Sequence, residues 1–234
     1  MFPLKDDIPT RRFPVLTVLL IAANVFAFFA LQGAYFDGAG FNQRVIDWGA
    51  VPYDLTHSLD GHTLLTAFTA MFMHGGILHL AGNMLFLWVF GNNIEDSMGR
   101  PRFVLFYLLG GLAALALQVA VEPDSAVPTI GASGAVAAVL GAYALLYPRA
   151  RVVTLVFIVI FFTVITIPAL FVLGAWFVIQ ALYGAASVAQ PVNGSGGVAY
   201  FAHIGGFAFG LLFIKLFADR VHDDYQRATR RPVF

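Results

Sequence analysis

Cysteine is absent from all 234 residues, which excludes disulfides, thiolate nucleophiles and cysteine-based metal sites and leaves the redox compartment undetermined. Charge is scarce: Asp, Glu, Lys and Arg together make up 11% of the chain, against about 25% in an ordinary soluble domain. Formal net charge is zero, and no basic cluster interleaved with aromatics runs along the sequence, so a nucleic-acid partner is set aside. Neither an inverted repeat nor a chain of intramembrane acids is present, which leaves a transporter or channel without support. What the chain does have is apolar bulk. Hydrophobic residues make up 59% of it, so its first partner is a lipid bilayer, and its length suits one compact membrane domain.

A bilayer crossing takes about 17 to 25 helical residues. Apolar runs of that order lie at 14–32, 74–92, 103–121, 131–147 and 200–218. A sixth run, 152–187, is 36 residues long and too long for one helix. Pro168 and the β-branched "TVITIP" that contains it predict a break there, with one crossing over about 166–187 and an apolar connector at the inner interface over 152–165. Basic residues collect on the cytoplasmic side of membrane helices. With six crossings and a cytoplasmic N-terminus, the inside segments hold Lys5, Arg11, Arg12, Arg100, Arg102, Arg149, Arg151, Lys215, Arg220, Arg227, Arg230 and Arg231, twelve of the thirteen basic residues. Only Arg44 falls outside. The expected fold is therefore all-α and polytopic, with six transmembrane helices and a long outer loop, 33–73, between the first two. It divides into a cytoplasmic segment 1–13, a membrane domain 14–218 and a basic cytoplasmic tail 219–234. The first apolar run is longer than a signal-peptide core and follows two aspartates, so it is expected to be a retained helix. The expected location is the cell membrane, plasma or inner, with both termini cytoplasmic.

Polar side chains in spanning segments are costly and require a partner or a purpose. Here they are His74, His79 and Asn83 in "MHGGILHLAGN", Ser133 in "GASGA" and His203 in "YFAHIGGFAFG", with Glu95, Asp96 and Gln180 nearer the edges. In the six-crossing topology, helices two, four and six all enter from the outer side, so His79, Asn83, Ser133 and His203 converge at similar depth and open outward. A serine hydroxyl becomes a nucleophile when a base takes its proton, and a neutral histidine is the usual base. Gly206 and Gly210 follow His203 at +3 and +7, while Ala137 and Gly141 follow Ser133 at +4 and +8. These small residues would let helices four and six approach closely. His79 and Asn83, i and i+4, share one helix face and could aim donors at a developing oxyanion. His74 falls about 140° around from His79 and is expected to anchor the outer loop. Zinc chemistry lacks its H-E-x-x-H spacing, and the soluble hydrolase elbow lacks a glycine at Ala135. No metal or cofactor is expected.

Taken in order, these motifs resemble those of the rhomboid intramembrane serine proteases over roughly residues 62 to 214. "HGGILHLAGNMLFLWVFGNNIED" is similar to that family's histidine-rich second helix, "GASGA" to its G-x-S-G nucleophile motif and "AHIGGFAFG" to its general-base motif. The resemblance implies a six-helix bundle and a Ser133–His203 dyad without a third acid. It implies an oxyanion hole at His79 and Asn83, structural support from His74, and a structural pattern at Gly91, Glu95 and Gly99. The implied reaction passes through an acyl-enzyme and hydrolyses peptide bonds in or near transmembrane segments of other proteins, which makes transmembrane proteins the substrates. Two positions depart from the pattern. Ala137 stands where many members carry a tyrosine packed on the catalytic histidine, and Trp48 is followed by Gly49 where many carry Trp-Arg. The alternative is a non-catalytic rhomboid-like factor that binds membrane proteins, against which the presence of both Ser133 and His203 argues. The helix-five segment and the loop "AQPVNGSGG" before helix six are candidates for gating substrate entry. Oligomeric state is left open.

Overall fold

A computed structural model describes residues 2–33, 38–158, 161–189 and 198–218. The basic tail expected at 219–234 and all but the first residue of the candidate gating loop lie outside the described residues. In chain order, the protein begins with strand β1 (Phe2–Asp6) and helix α1 (Val15–Leu31), whose last turn is π-helical. Three short helices follow: α2 (Gly38–Trp48), α3 (Pro52–His57) and α4 (Gly61–Thr69). Next come α5 (Ile77–Met98), α6 (Arg100–Val121) and α7 (Ser133–Leu146). Strands β2 (Arg151–Ile158) and β3 (Phe161–Pro168) precede α8 (Ala169–Ala189) and α9 (Tyr200–Phe217). Among the described residues four helices, α5, α6, α8 and α9, are long and apolar enough to cross a bilayer, and α1 and α7 are shorter apolar helices. The protein is an integral, multi-pass membrane protein.

Helix α7 is the centre of the bundle. Every residue from Gly134 to Ala144 is buried, as suits a helix apolar on all sides. Glycine brings α9 against it. A Cβ on Gly206 would overlap the Gly134 carbonyl oxygen, one on Gly210 the Ala138 carbonyl oxygen, and one on Gly141 the Phe207 carbonyl oxygen. Helix α5 runs past the expected end at residue 92 to Met98, and Gly99, at φ +78°, turns the chain into α6. Glu95 therefore lies inside α5 and is 4% exposed. Its carboxylate accepts from the backbone N–H of Leu16 (3.1 Å), the backbone N–H of Thr17 (2.8 Å) and the Thr17 hydroxyl (2.9 Å). These are donors of the first turn of α1, which has no intrahelical acceptor for them. Gly91, one turn earlier, leaves room for the Thr17 side chain, which would sit 3.3 Å from an added Cβ.

The all-α expectation is corrected by a three-stranded antiparallel sheet in the order β1-β2-β3. The segment expected as an apolar connector is a β-hairpin, and the N-terminal segment adds its third strand. An apolar run rich in valine, isoleucine and phenylalanine has no periodicity that separates a strand from a buried helix. β-branched residues and pairing with β1 decide for the strand. Asp6, at the end of β1, is pulled into the bundle, where its Oδ2 accepts from the Tyr143 hydroxyl and from Asn93 Nδ2, each at 2.6 Å. Burial pushes its carboxyl up to about 6, with the Tyr143 hydrogen bond pulling the other way. Arg44, the basic residue outside the charge pattern, donates to the Gln32 carbonyl at 2.8 Å, near the C-terminal end of α1, where a cation meets free carbonyls.

Candidate active site

Helix α7 starts at Ser133, and the four residues before it, from Thr129, are shaped by contacts to other elements. Ala50 and Thr129 form an antiparallel bridge, and the Gly131 N–H donates to the Ala70 carbonyl at 2.8 Å. Gly131 has φ +121°, a conformation L side chains rarely adopt. A Cβ there would also lie 2.9 Å from both Cε1 and Nε2 of His79 and 3.4 Å from the Ser133 Oγ. The His79 ring edge and the serine hydroxyl thus flank one point that only glycine leaves open. Ser133 is in the first turn of α7, so its backbone N–H has no intrahelical partner.

The tautomer of His79 follows from its neighbour. Its Nδ1 accepts from the Gly75 backbone N–H at 3.2 Å, so the ring proton sits on Nε2, the atom nearest Gly131 and Ser133. Asn83, one turn along the same face, is 8% exposed, and among the described residues its buried Nδ2 has no hydrogen-bond partner. Such an orphaned donor costs about 1–3 kcal/mol. His74 precedes the start of α5. Its backbone exchanges two hydrogen bonds with the Gln32 side chain, at 2.9 and 3.0 Å, and its fully buried ring meets His79 edge-on at 5.2 Å. Its contacts are to the end of α1 and to the His79 ring, and among the described residues neither of its ring nitrogens has a hydrogen-bond partner.

His203 lies in the first turn of α9, beside the closest approach to α7. Gly134, next to Ser133, faces the Ala202 carbonyl, 3.8 Å from an added Cβ. Among the described residues His203 shares no hydrogen bond with Ser133. Its Nδ1 pairs with Gln180 Oε1 of α8 at 2.8 Å, and the Trp176 ring of the same helix lies 5.6 Å away, tilted by 40°. Ala137 is fully buried and lies against Gly206, where an added Cβ would be 3.2 Å from its own. The alanine is thus part of the helix contact, and the residues flanking the imidazole come from α8. Gln180 was visible in the sequence as an edge residue without a role. Gln118 of α6 was passed over. Its Oε1 accepts from the Ala202 N–H at 3.2 Å, holding the turn that carries His203. An amide inside a spanning run is the signal that could have found it.

A cavity of about 30 Å³ opens beside Ser133, lined by Gly131, Gly111, Ala114, Met71 and Ala202 among others. Trp48 and Gly49 lie in the loop packed nearby. The Trp48 carbonyl accepts from the Thr69 hydroxyl at 2.8 Å, and a Cβ on Gly49 would meet Pro128 and Ile130 at 2.8 and 2.9 Å. Glycine is therefore what this loop's approach to the Ser133 segment requires.

Comparison with known proteins agrees with the reading of the motifs. The family model described as Rhomboid domain matches residues 61–220. The chain is 35% identical over 130 residues to rhomboid protease GluP of Bacillus subtilis, covering 55% of this chain and 24% of that protein. It is 31% identical over 162 residues to the mitochondrial Rhomboid protein 1 of Saccharomyces cerevisiae, covering 67% and 42%. It is 30% identical over 145 residues to the mitochondrial presenilin-associated rhomboid-like protein A of Danio rerio, covering 61% and 35%. The matched region thus spans between about a quarter and two fifths of each relative's length. With a domain match over most of its length, these relatives, and the serine and histidine motifs on adjoining helices, the chain belongs to the rhomboid family.

Proposed function

We propose that this protein is an intramembrane serine endopeptidase that hydrolyses peptide bonds in or near transmembrane segments of other membrane proteins. The observation that carries the reading is the cluster at Gly131: the Ser133 hydroxyl and the protonated Nε2 of His79 flank one open point. In the reaction, Ser133 Oγ attacks the scissile carbonyl while its proton passes to His203 Nε2. The carbonyl oxygen takes the electron pair, becomes an oxyanion and receives hydrogen bonds from His79 Nε2–H, Asn83 Nδ2–H and the Ser133 N–H. As the tetrahedral intermediate collapses, the C–N bond breaks and the imidazolium gives its proton to the leaving amine. Water then repeats the sequence on the acyl-enzyme, with His203 as base and Ser133 as leaving group. Apo hydrogen bonds between nucleophile and base are often long and tighten with substrate, so the open Ser133–His203 pair is compatible with this role. The cavity beside Ser133 has room for one water.

In this reading α1 and α7 also cross, giving six crossings over residues 14–218 with the sheet end at the cytoplasmic face of a cell membrane, as the placement of Lys and Arg suggests. Helix α7, with 14 residues, is roughly 21 Å long against a hydrocarbon core of about 30 Å. Ser133 would therefore sit below the opposite surface, where water must reach it.

The test is labelling by a fluorophosphonate probe together with cleavage of a reporter bearing a helix-destabilised transmembrane segment. Wild type is expected to be labelled and to cleave; Ser133→Ala and His203→Ala are expected to do neither while keeping the same thermal midpoint. Equal labelling of wild type and Ser133→Ala overturns the assignment, and a folded wild type that neither labels nor cleaves returns the reading to a non-catalytic membrane-protein binder.

A further inference from the structure

A serine–histidine pair without an acid leaves the imidazole free to adopt either tautomer and to rotate, and only one tautomer in one orientation accepts the serine proton. Helix α8 supplies what is needed to choose. Gln180 Oε1 lies 2.8 Å from His203 Nδ1. Its other amide atom is committed elsewhere, because Gln180 Nε2 donates to the Trp176 carbonyl one turn back, at 3.4 Å. With the amide nitrogen turned to that carbonyl, the oxygen faces the ring, so His203 Nδ1 must carry the proton and Nε2 is left as the acceptor. Gln180 is 8% exposed, and Trp176 covers the ring beside it. The bond is part-buried, which reduces the competition from water.

We propose that Gln180 is the positioning residue for His203, holding its Nδ1–H tautomer so that Nε2 serves as base, and that this makes the dyad's alignment conditional on α8 being docked against α9. The inference rests on the proposed serine protease reading. Through the cycle the glutamine oxygen accepts the Nδ1–H bond and takes no proton; the proton from Ser133 travels only to Nε2 and on to the leaving amine. The consequence of α8 as the carrier follows from its exposure. Leu170, Phe171, Ile179, Leu182 and Tyr183 all face outward, so α8 is a peripheral element held along one side. Because Gln180 is carried by α8 and His203 by α9, the bond between them depends on α8 staying docked against α9.

The test compares wild type, Gln180→Leu and Gln180→Glu, all full-length in detergent micelles, with the reporter substrate and the fluorophosphonate probe. For Gln180→Leu, kcat is expected to fall roughly 10- to 100-fold, the scale of a small misplacement of a reacting group, with KM within about twofold. The labelling rate of Ser133 should fall by the same factor. Gln180→Glu keeps an acceptor for Nδ1–H and is expected to recover most of kcat. The ¹⁵N signals of His203 in wild type, assigned by their loss in His203→Ala, should report a protonated Nδ1 and a bare Nε2, and the two should exchange in Gln180→Leu. A wild-type His203 protonated at Nε2, or an unchanged kcat in folded Gln180→Leu, overturns the proposal while leaving the protease reading intact. An inactive wild type overturns the protease reading itself, and the ¹⁵N tautomer then still decides whether Gln180 orients the ring.

Discussion

The two ends of the bundle differ in the buried polar groups they hold, although among the described residues each has an unpartnered amide atom, Asn93 Oδ1 at the sheet end and Asn83 Nδ2 at the Ser133 end. At the sheet end the polar groups include carboxylates, and these are engaged: Glu95 accepts three hydrogen bonds from the start of α1, and Asp6 accepts from Tyr143 and Asn93. At the Ser133 end the polar groups are neutral, and several are left open. Asn83 Nδ2 and both ring nitrogens of His74 have no partner among the described residues, and Ser133 does not pair with His203. A satisfied carboxylate ties segments distant in sequence together, as Glu95 ties α1 to α5. An unsatisfied donor in a low-dielectric site stabilises nothing at rest and acts on whatever charge appears beside it. One end holds distant segments of the chain together; the other keeps buried donors open, as the proposed chemistry requires.

That contrast can be broken by mutation, and the largest expected effect is at the open end. Asn83→Ala should lower kcat roughly 10²- to 10³-fold, the loss of one oxyanion donor, without lowering unfolding stability, because removing a buried donor that has no partner relieves its cost of about 1–3 kcal/mol and offsets the packing lost. A reporter assay beside unfolding in mixed micelles measures both; a large loss of stability would erase the distinction between the ends. Glu95→Ala should do the reverse. Removing a buried acceptor of three hydrogen bonds is expected to cost about 3 kcal/mol, with kcat per folded molecule unchanged. If activity per folded molecule falls instead, the sheet end is part of the chemistry.

The smallest effect sharpens the comparison through pH. Burial raises the Asp6 carboxyl to about 6 from 3.8, so the folded protein holds this proton more tightly than the unfolded chain. Stability from Asp6 is then fully present below the unfolded value and declines as pH rises from about 4 through about 6, by about 3 kcal/mol in total. Asp6→Asn should flatten that slope. The check is the wild-type-minus-variant difference in unfolding free energy between pH 4.5 and 7.5; a difference that grows in the wild type's favour with rising pH contradicts the assignment.

The apolar helices were legible because a bilayer demands long apolar runs, and the candidate residues because polar atoms in such runs are few. Ser133, His79, Asn83 and His203 stood out on that ground alone. The hairpin did not, since "RVVTLVFI" and "FFTVITIP" are as apolar as a buried helix and their strand partner, Phe2–Asp6, is more than 140 residues away in the chain. The end of α5 expected from the sequence falls short for a related reason: hydropathy drops at Asn92, but the helix continues because Asn93 and Glu95 find partners in β1 and α1.

Composition and motif spacing by themselves determined that this is a membrane bundle of the rhomboid family and which few polar side chains are candidates for its chemistry, because lipid penalises every polar atom that lacks a use. Only the tertiary structure decided what each of those atoms touches. Ala137 became a helix contact, Gln180 the partner of His203 and Asp6 a buried anchor, since each depends on the register and approach of segments far apart in sequence. Local preferences place a residue on a helix, and only packing between helices fixes which neighbour its last two atoms meet.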